Sequence, residues 1–599
     1  MLTKLSLNGI KSRFKEYVVL FSGLIMASAI FYMFEALATN KSFVKANSII
    51  SMASIVFQFG SVLLGIIAFV YVLYANTFLM SMRQRDYGTF MMLGAKRHKI
   101  SQLIFAETFL IGFGSTVIGI LIGTGLTAGL SGLLLKQMDI TVAHFHAFYL
   151  PAVGVTMLFF AVLFLLAALL NCRKLLKTPL LQLLHDDKQP TRVQKAGRGQ
   201  VIKSILGLVL VAIGYYAMAH LEQLQINAIP IALVTIVFGT YFLFDAVFIS
   251  LLQLLKRNPT FAFHRLNDFT LAQLNFRIRS YTKVLSMVAI LFAMALGAIT
   301  VGIGYQREIP LVTKTVSAYD VLVQNPTAQE KKLLNQMKLS QDLTLSYKTD
   351  AKNVYFDQND LDAQTVETMY HAKNQYNQTH VQSTTTAELQ KNPGLLSEFA
   401  GAVNSNKMPQ IVSHAQFQKM TAPTETVRAV HSQNFNQSLP TLKQIQKLQV
   451  AQLPAGMNAF QMGGRLSSYQ TAKALFGGME FMGLFLGIAF LAMLASCLMF
   501  KILSGAANDK QRYQMLAKIG TRRSWLQHSI RVEILTLFAL PGIAGIIHVL
   551  FGLQMFTLIM DAPYADLWIP FSLFIVLYAL YYILTVVLYQ RIVLPKQHD

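Results

Sequence analysis

Cysteine is almost missing from this chain: Cys172 and Cys497 are the only two in 599 residues. They lie far apart beside apolar runs, so no metal-ligand spacing and no redox pair can be drawn from them. Charge is scarce too, at 13% of residues, where a soluble domain carries roughly 25%. Acid is the scarcer sign, with 28 Asp+Glu against 51 Lys+Arg and a formal net charge of +23. There is no G-x-x-x-x-G-K-[ST] and no Gly-Lys pair, so the chain has no P-loop of its own with which to bind ATP. G-x-S-x-G and H-E-x-x-H are missing as well. These absences exclude a disulfide scaffold, a disordered chain and an ordinary soluble enzyme.

What remains is apolar. Hydrophobic residues make up 54% of the chain and collect in long charge-free runs, among them 46–82, 108–135, 140–172, 284–306, 534–560 and 567–590. A bilayer core takes about 20 apolar residues per helix. The runs predict ten spans near 17–37, 54–78, 107–130, 148–170, 204–220, 230–254, 284–305, 478–500, 533–557 and 568–590. The first follows the basic stretch "KSRFKEY" and lacks a small-residue cleavage site, so it reads as a retained helix and not a signal segment.

With the N-terminus inside, the inner segments hold 32 Lys+Arg, the four short outer loops hold 3, and a long insertion holds 16. Short loops vote on orientation and long domains do not. Both termini are therefore expected on the cytoplasmic side of a cell membrane, with residues 306–473 outside. The basic surplus becomes a topology and lipid-headgroup signal, and nucleic acid is not an expected partner. The insertion has no cysteine and carries 12 Asp+Glu beside its 16 basic residues. "AQEKKLLNQMK" (328–338) has helical spacing, while "LTLSYK" (343–348) and "NVYF" (353–356) read as strands. A small mixed α/β domain follows, with a thin core expected from its modest aromatic content. Its four histidines, His371, His380, His414 and His431, have no metal-like spacing and are expected at the surface.

An internal repeat is the most informative feature. "MRQRDYGTFMMLGAKRHKISQLIFAE" follows span two and "DKQRYQMLAKIGTRRSWLQHSIRVE" follows span eight. A shift of 426 aligns Tyr87 with Tyr513, Leu93 with Ile519, and Gly94 with Gly520. It also aligns Lys96 and Arg97 with Arg522 and Arg523, Ile100 with Leu526, and Glu107 with Glu533. Two further spans follow each copy, so the repeat is parallel, unlike the inverted repeats of many secondary transporters. Gly94 and Gly520 are expected as left-handed helix caps. The basic turn after each has two open readings: an anchor under lipid headgroups, or a docking knob for a symmetric cytosolic partner.

The residues 74–100, "YANTFLMSMRQRDYGTFMMLGAKRHKI", opening into "AETFLIG", resemble the FtsX-like permease domain of ABC transporters. The second copy is similar to a weaker form of it. "LSLNGIKSRFKEYVVLFSGLIMASAIFY" and "DFTLAQLNFRIRSYTKVLSMV" also fit. Ten spans with an outer domain between seven and eight resemble one branch, the bacitracin- and lantibiotic-resistance permeases of Gram-positive bacteria. The resemblance implies a polytopic α-helical membrane protein with two parallel FtsX-like three-helix repeats and one extracellular mixed α/β domain. The boundaries expected are 1–53 (first helix and outer loop), 54–175 (first repeat), 176–305 (helices five to seven), 306–473 (outer domain), 474–592 (second repeat) and 593–599 (tail).

It further implies a non-catalytic permease subunit, two copies of a separate ATP-binding subunit holding ATP and Mg, and removal of peptide antibiotics from lipid-linked cell-wall precursors. Undecaprenyl-pyrophosphate-type lipid and a membrane histidine kinase are the other implied partners. The chain itself is expected to hold no cofactor and no metal. The alternative is a non-transport signalling protein relaying ATPase state to a cell-wall hydrolase or sensor kinase. The candidate ATPase-coupling residues are Arg83, Arg85, Tyr87, Gly94, Lys96 and Arg97 in the first copy, and Arg512, Tyr513, Gly520, Arg522 and Arg523 in the second. Glu107 and Glu533, at inner span starts, are expected to favour the helix N-terminus and pair with the preceding basic turn. Asp245, in "YFLFDAVF", is the deepest intramembrane acid and asks for a hydrogen-bond partner. "GILIG" (119–123), "GLTAG" (125–129) and "GLFLG" (483–487) permit close helix approach.

Overall fold

A computed structural model describes residues 14–40, 48–138, 146–177, 179, 198–256, 267–371, 379–454, 457 and 459–594. Each predicted span is a helix, and among the described residues ten helices are long and apolar enough to cross a membrane. They are α1 (Phe14–Thr39), α2 (Ser48–Met92), α3 (Arg97–Gln137), α4 (Leu150–Lys177), α5 (Arg198–Ala219), α6 (Ala228–Phe242), α7 (Asn267–Lys314), α8 (Arg465–Lys518), α9 (Arg523–Gly552) and α10 (Trp568–Val593). Helix α6 continues through a π turn, Leu243–Val247, into a last segment, Phe248–Lys256.

Several helices outrun their apolar windows. α8 has 54 residues, or about 80 Å of helix at 1.5 Å per residue, where the hydrocarbon takes about 30 Å. Its first turns, "RLSSYQTAKAL", are polar but carry no Pro or Gly, so the helix continues after the need for apolar residues has ended. α7 also continues to Lys314, with Pro310 within its last turns. The two long helices thus reach into the polar segment further than hydropathy suggests.

The bundle core sits on α8, whose apolar window is 83% buried. It packs against α1, α2, α7 and α10. α1 lies on α3 as α7 lies on α9, which gives each repeat a fourth helix. Small residues set two of these contacts. A Cβ on Gly119 would stand 1.9 Å from Ser28 Oγ, and one on Gly123 2.5 Å from the Ala29 carbonyl oxygen. On α8, a Cβ on Gly483 would stand 2.5 Å from the Ala298 carbonyl oxygen of α7, and one on Gly487 2.8 Å from that of Ala295. Gly125 and Gly129 meet no atom within 4 Å, so "GLTAG" does not serve as a packing seam among the described residues. α5 and α6 pack on each other beside the second repeat. They are pinned to α9 by His548, whose Nδ1 lies 2.7 Å from Tyr215 Oη and whose Nε2 lies 3.0 Å from Thr240 Oγ1.

Between α7 and α8 the chain builds a five-stranded sheet of order β1-β7-β2-β3-β6 and a separate hairpin, β4-β5. The strands are β1 (Val321–Gln324), β2 (Leu339–Thr349), β3 (Asn353–Asp357), β4 (Val366–His371), β5 (Thr379–Thr384), β6 (Met408–Val412) and β7 (Glu425–Ser432). Only β3/β6 is parallel in the large sheet. The core is not thin. Leu343, Leu345, Val427, Ala429 and Phe399 bury one face, and Val321, Val323, Val430, Leu442 and Ile445 bury the other. Aliphatic residues alternating along the strands supply both layers, which an aromatic count misses.

This polar domain is fastened to the start of α8. Arg465 N–H donates to the Tyr319 carbonyl at 2.8 Å, and Leu466 N–H to that of Asp320 at 2.9 Å. The fully buried Asp320 carboxylate accepts from Ser432 N–H (2.8 Å) and Oγ (2.6 Å), and has His431 at 3.3 Å and Arg465 at 3.6 Å. Burial opposes ionisation of Asp320, but the neighbouring His431 and the hydrogen bonds from Ser432 win and hold it below its ordinary value. The Asp320 carboxylate in turn holds His431 above its own. His431 is thus half-buried and paired, not a plain surface residue. His414 also pairs, with Asp357 at 2.6 Å; the side chains of His371 and His380 lie outside the described residues.

Nearby, Ser317 Oγ donates to Glu398 at 2.9 Å, and burial pushes that carboxyl up to about 7. The unfolded chain sheds this proton near 4.5, so folding stability falls as pH rises from there to about 7. His431, raised, contributes most below its ordinary value and loses its contribution as pH rises. Both act in one direction. Hydrogen exchange in β1 and β7, corrected for intrinsic rates, is expected to quicken between pH 5 and 8. Glu398→Gln is expected to remove up to about 2 kcal/mol of that decline, its partial exposure allowed for. A pH-independent protection would refute the assignment.

Candidate coupling site

The two basic turns share one backbone. Gly94 and Gly520 both have φ of +94°, a conformation that a Cβ disfavours. At the first, Ala95 N–H donates to the Phe90 carbonyl (3.0 Å) and Gly94 N–H to that of Met91 (3.1 Å). At the second, Thr521 N–H donates to Leu516 (3.1 Å) and Gly520 N–H to Ala517 (3.1 Å). This is the Schellman pattern, which closes a helix and turns the chain back. Lys96 and Arg522 are then extended N-cap residues of α3 and α9, with ψ of 140° and 134°. We call each unit an elbow.

The elbows project two kinds of surface. Leu93 and Ile519, just before the glycines, are each 81% exposed. Lys96, Arg97, Arg522 and Arg523 are exposed beside them. These cations stand at the positive end of a helix, where each costs about 0.3–1 kcal/mol, and neither α3 nor α9 has an acid in its first turn. The local electrostatics are unfavourable within the chain and suit an anionic surface brought from outside.

Other residues expected at the elbows face inward. Arg83 and Tyr87 are buried against Glu107: the Arg83 guanidinium pairs with its carboxylate, and Tyr87 Oη donates to it at 3.3 Å. Tyr513, fully buried, donates to Glu533 at 3.2 Å. Arg512 remains half-exposed, 3.2 Å from Gln273 Oε1 and 3.7 Å from Asp509. The Arg85 side chain lies outside the described residues. Glu107 and Glu533 pair with these deeper groups and not with the basic turns. Each is ten residues into its helix, about 15 Å from the start, and the pull of a helix end fades within one turn.

Asp245 sits in the π turn of α6 and pairs with Lys203 Nζ of α5 at 2.9 Å, with the lysine half-exposed. It is a tie between the two peripheral helices and not a bundle-centre group. Glu35 lines a lateral groove of about 420 Å³ between α1, α2 and α4, with Ser61, Phe31, Phe69 and Phe159.

Four participants escape sequence reasoning. Arg277 of α7 pairs with Glu533 and, at 2.7 Å, with Asp509, and it donates to Tyr589 Oη at 2.5 Å. Lys501 lies between the rings of Phe78 and Tyr281, 4.5 and 4.7 Å from their centres, and so bridges the two repeats. One signal was available. The 426 shift sets Arg83 against Asp509, a charge reversal that leaves Glu533 in want of another cation.

Residues 58–180 match the family of FtsX-like permease C-terminal domains. Along nearly its whole length the chain is similar to the bacitracin export permease protein BceB of Bacillus subtilis (strain 168), at 22% identity over 644 residues covering 99% of each chain. BceB of Halalkalibacterium halodurans is 23% identical over 645 residues, covering 98% of this chain and 99% of the relative. The ABC transporter permease protein YxdM of Bacillus subtilis (strain 168) is 25% identical over 555 residues, 85% of each. The chain therefore carries an FtsX-like permease domain and is homologous to the BceB bacitracin export permeases.

Proposed function

Taking this multi-pass chain as the permease component of an ABC transporter, we propose that it protects the cell from cell-wall-targeting antimicrobial peptides. A separate ATP-binding subunit, in two copies, supplies the energy. The observation that carries this is the pair of like-built elbows. Each offers an apolar tip and a cationic rim at matching positions of a parallel repeat, which suits a dimeric partner with an acid-lined apolar recess. The 32-to-3 bias in Lys+Arg supports a reading with the elbows and both termini in the cytoplasm and the polar domain outside.

ATP binding closes the partner dimer and moves the helices at 83–100 and 510–526. Spans two to four and eight to ten shift, and the polar domain changes shape and releases peptide from its lipid-linked target. Two relatives named as bacitracin export permeases support the peptide class. A histidine kinase reading the same movement belongs to this proposal.

Co-purification with the ATP-binding subunit tests it. Proline cannot adopt φ of +94°, so Gly94→Pro with Gly520→Pro destroys both elbows. Loss of the complex and of peptide resistance is expected; unchanged complex and resistance would reject the docking role. Lys96→Cys should resist a membrane-impermeant thiol reagent added to cells, and Ser405→Cys should react. The reverse pattern would invert the topology.

A further inference from the structure

Buried carboxylates at equal depth close the base of both repeats, yet their cations come from different helices. In the first, Arg83 lies on α2, the helix that ends in its own elbow. In the second, the equivalent position holds Asp509, and the guanidinium arrives from Arg277 of α7. That group is 3% exposed. It touches α8 through Asp509, α9 through Glu533 and α10 through Tyr589, whose hydroxyl also donates to Asp509 at 2.9 Å.

The tie matters because of where α7 leads. From Arg277 it stays helical, through Pro310, to Lys314 and delivers the chain to β1 of the polar domain. α8 runs beside it, in backbone contact at Gly483 and Gly487, and reaches the same place at Arg465, which sits against Asp320. The pair is joined at its base by Arg277–Asp509, in the middle by the glycine seam, and nearer the polar domain by the stacked rings of Tyr305 and Phe476, while the Asp320 cluster holds the start of α8 to the chain just past the end of α7. Two rods joined at three levels resist slipping past each other, so a displacement at one end is delivered to the other.

We infer that Arg277 is a positioning residue that ties the second elbow to α7, so that α7 and α8 carry elbow movement to the polar domain as a single strut. The inference rests on the reading of the elbows as the ATPase contact. Asp509 is the complement that makes the arginine on α7 necessary. The charge reversal at the repeat register is the sequence record of this wiring.

The repeat itself supplies the experiment. Arg277→Gln combined with Asp509→Arg gives the second copy the arrangement of the first: a guanidinium on the elbow helix itself, near Glu533, and none on α7. The full chain is purified with its ATPase and carries spin labels at Ser405→Cys and Thr557→Cys, with Cys172→Ser and Cys497→Ala. Thermal unfolding, complex formation, ATPase rate and the ATP-dependent change in label distance are measured.

The swap is expected to keep fold and complex and to lose the distance change, with resistance falling by about tenfold, a size typical of mutations along a coupling route. A distance change of full amplitude overturns the proposal. So does loss of the complex by a folded swap variant, which makes Arg277 part of the docking surface. Arg277→Lys is the second probe, because it keeps the charge but not the fork that reaches several partners. A reduced amplitude with an intact complex is expected, and full amplitude again overturns the tie. If the unaltered chain forms no complex, the elbow reading fails first, and the two failures are thereby distinguished.

Discussion

A chain carrying Leu93→Asp together with Ile519→Asp folds, inserts and then fails to retain its ATP-binding subunit. Both side chains are 81% exposed, so their replacement leaves the fold within about 0.5 kcal/mol. Their worth is realised only when a partner covers them. Burying an aliphatic side chain of this size is worth about 1.5–3 kcal/mol, and two lost anchors amount to a fall in affinity of roughly 10²–10⁴. The measurement is the dissociation constant for the purified subunits, by titration in detergent. Each single substitution should cost about half of the double in free energy, because the elbows are separate sites. A double variant that binds as tightly as the unaltered chain would show that the tips face lipid headgroups instead.

Arg277→Gln alone should be the most destabilising single substitution at the base of the bundle. It strands Glu533 and Asp509, both buried, without the guanidinium that pairs with them. Removing one member of a buried ionic group costs about 3–5 kcal/mol. Adding Glu533→Gln should return much of this, since a buried amide is cheaper than an unpaired carboxylate. Denaturant or thermal unfolding in mild detergent would record both steps. Arg83→Gln should behave in the same way toward Glu107. If Arg277→Gln unfolds like the parent, the cluster contributes nothing to the folded state.

The ten spans were legible because charge-free runs of about 20 residues have few other uses in a chain. Their ends were not. α8 begins at Arg465, ahead of the apolar run, because helices need apolar side chains only where lipid surrounds them. The elbows were legible through the repeat, which points to Gly94 and Gly520 without any coordinates. Which neighbours face inward was harder. Arg83 and Tyr87 are four apart and share a helix face, whereas Leu93, six residues beyond Tyr87, is rotated by about 240°. A run of basic and aromatic residues along the sequence is therefore divided between interior and surface. Arg277 lies 256 positions from Glu533 in the sequence, and only the misfit of Asp509 with Arg83 pointed toward such a distant donor.

Where α7 and α8 meet, Gly302 and Gly483 bring two main chains together with no side chain between them. A seam that narrow has no room for a water-filled conduit, let alone a folded peptide. On the function proposed above, the work of ATP is then delivered to a molecule gripped at the membrane surface, in the manner of a lever prying at an object outside the wall it passes through.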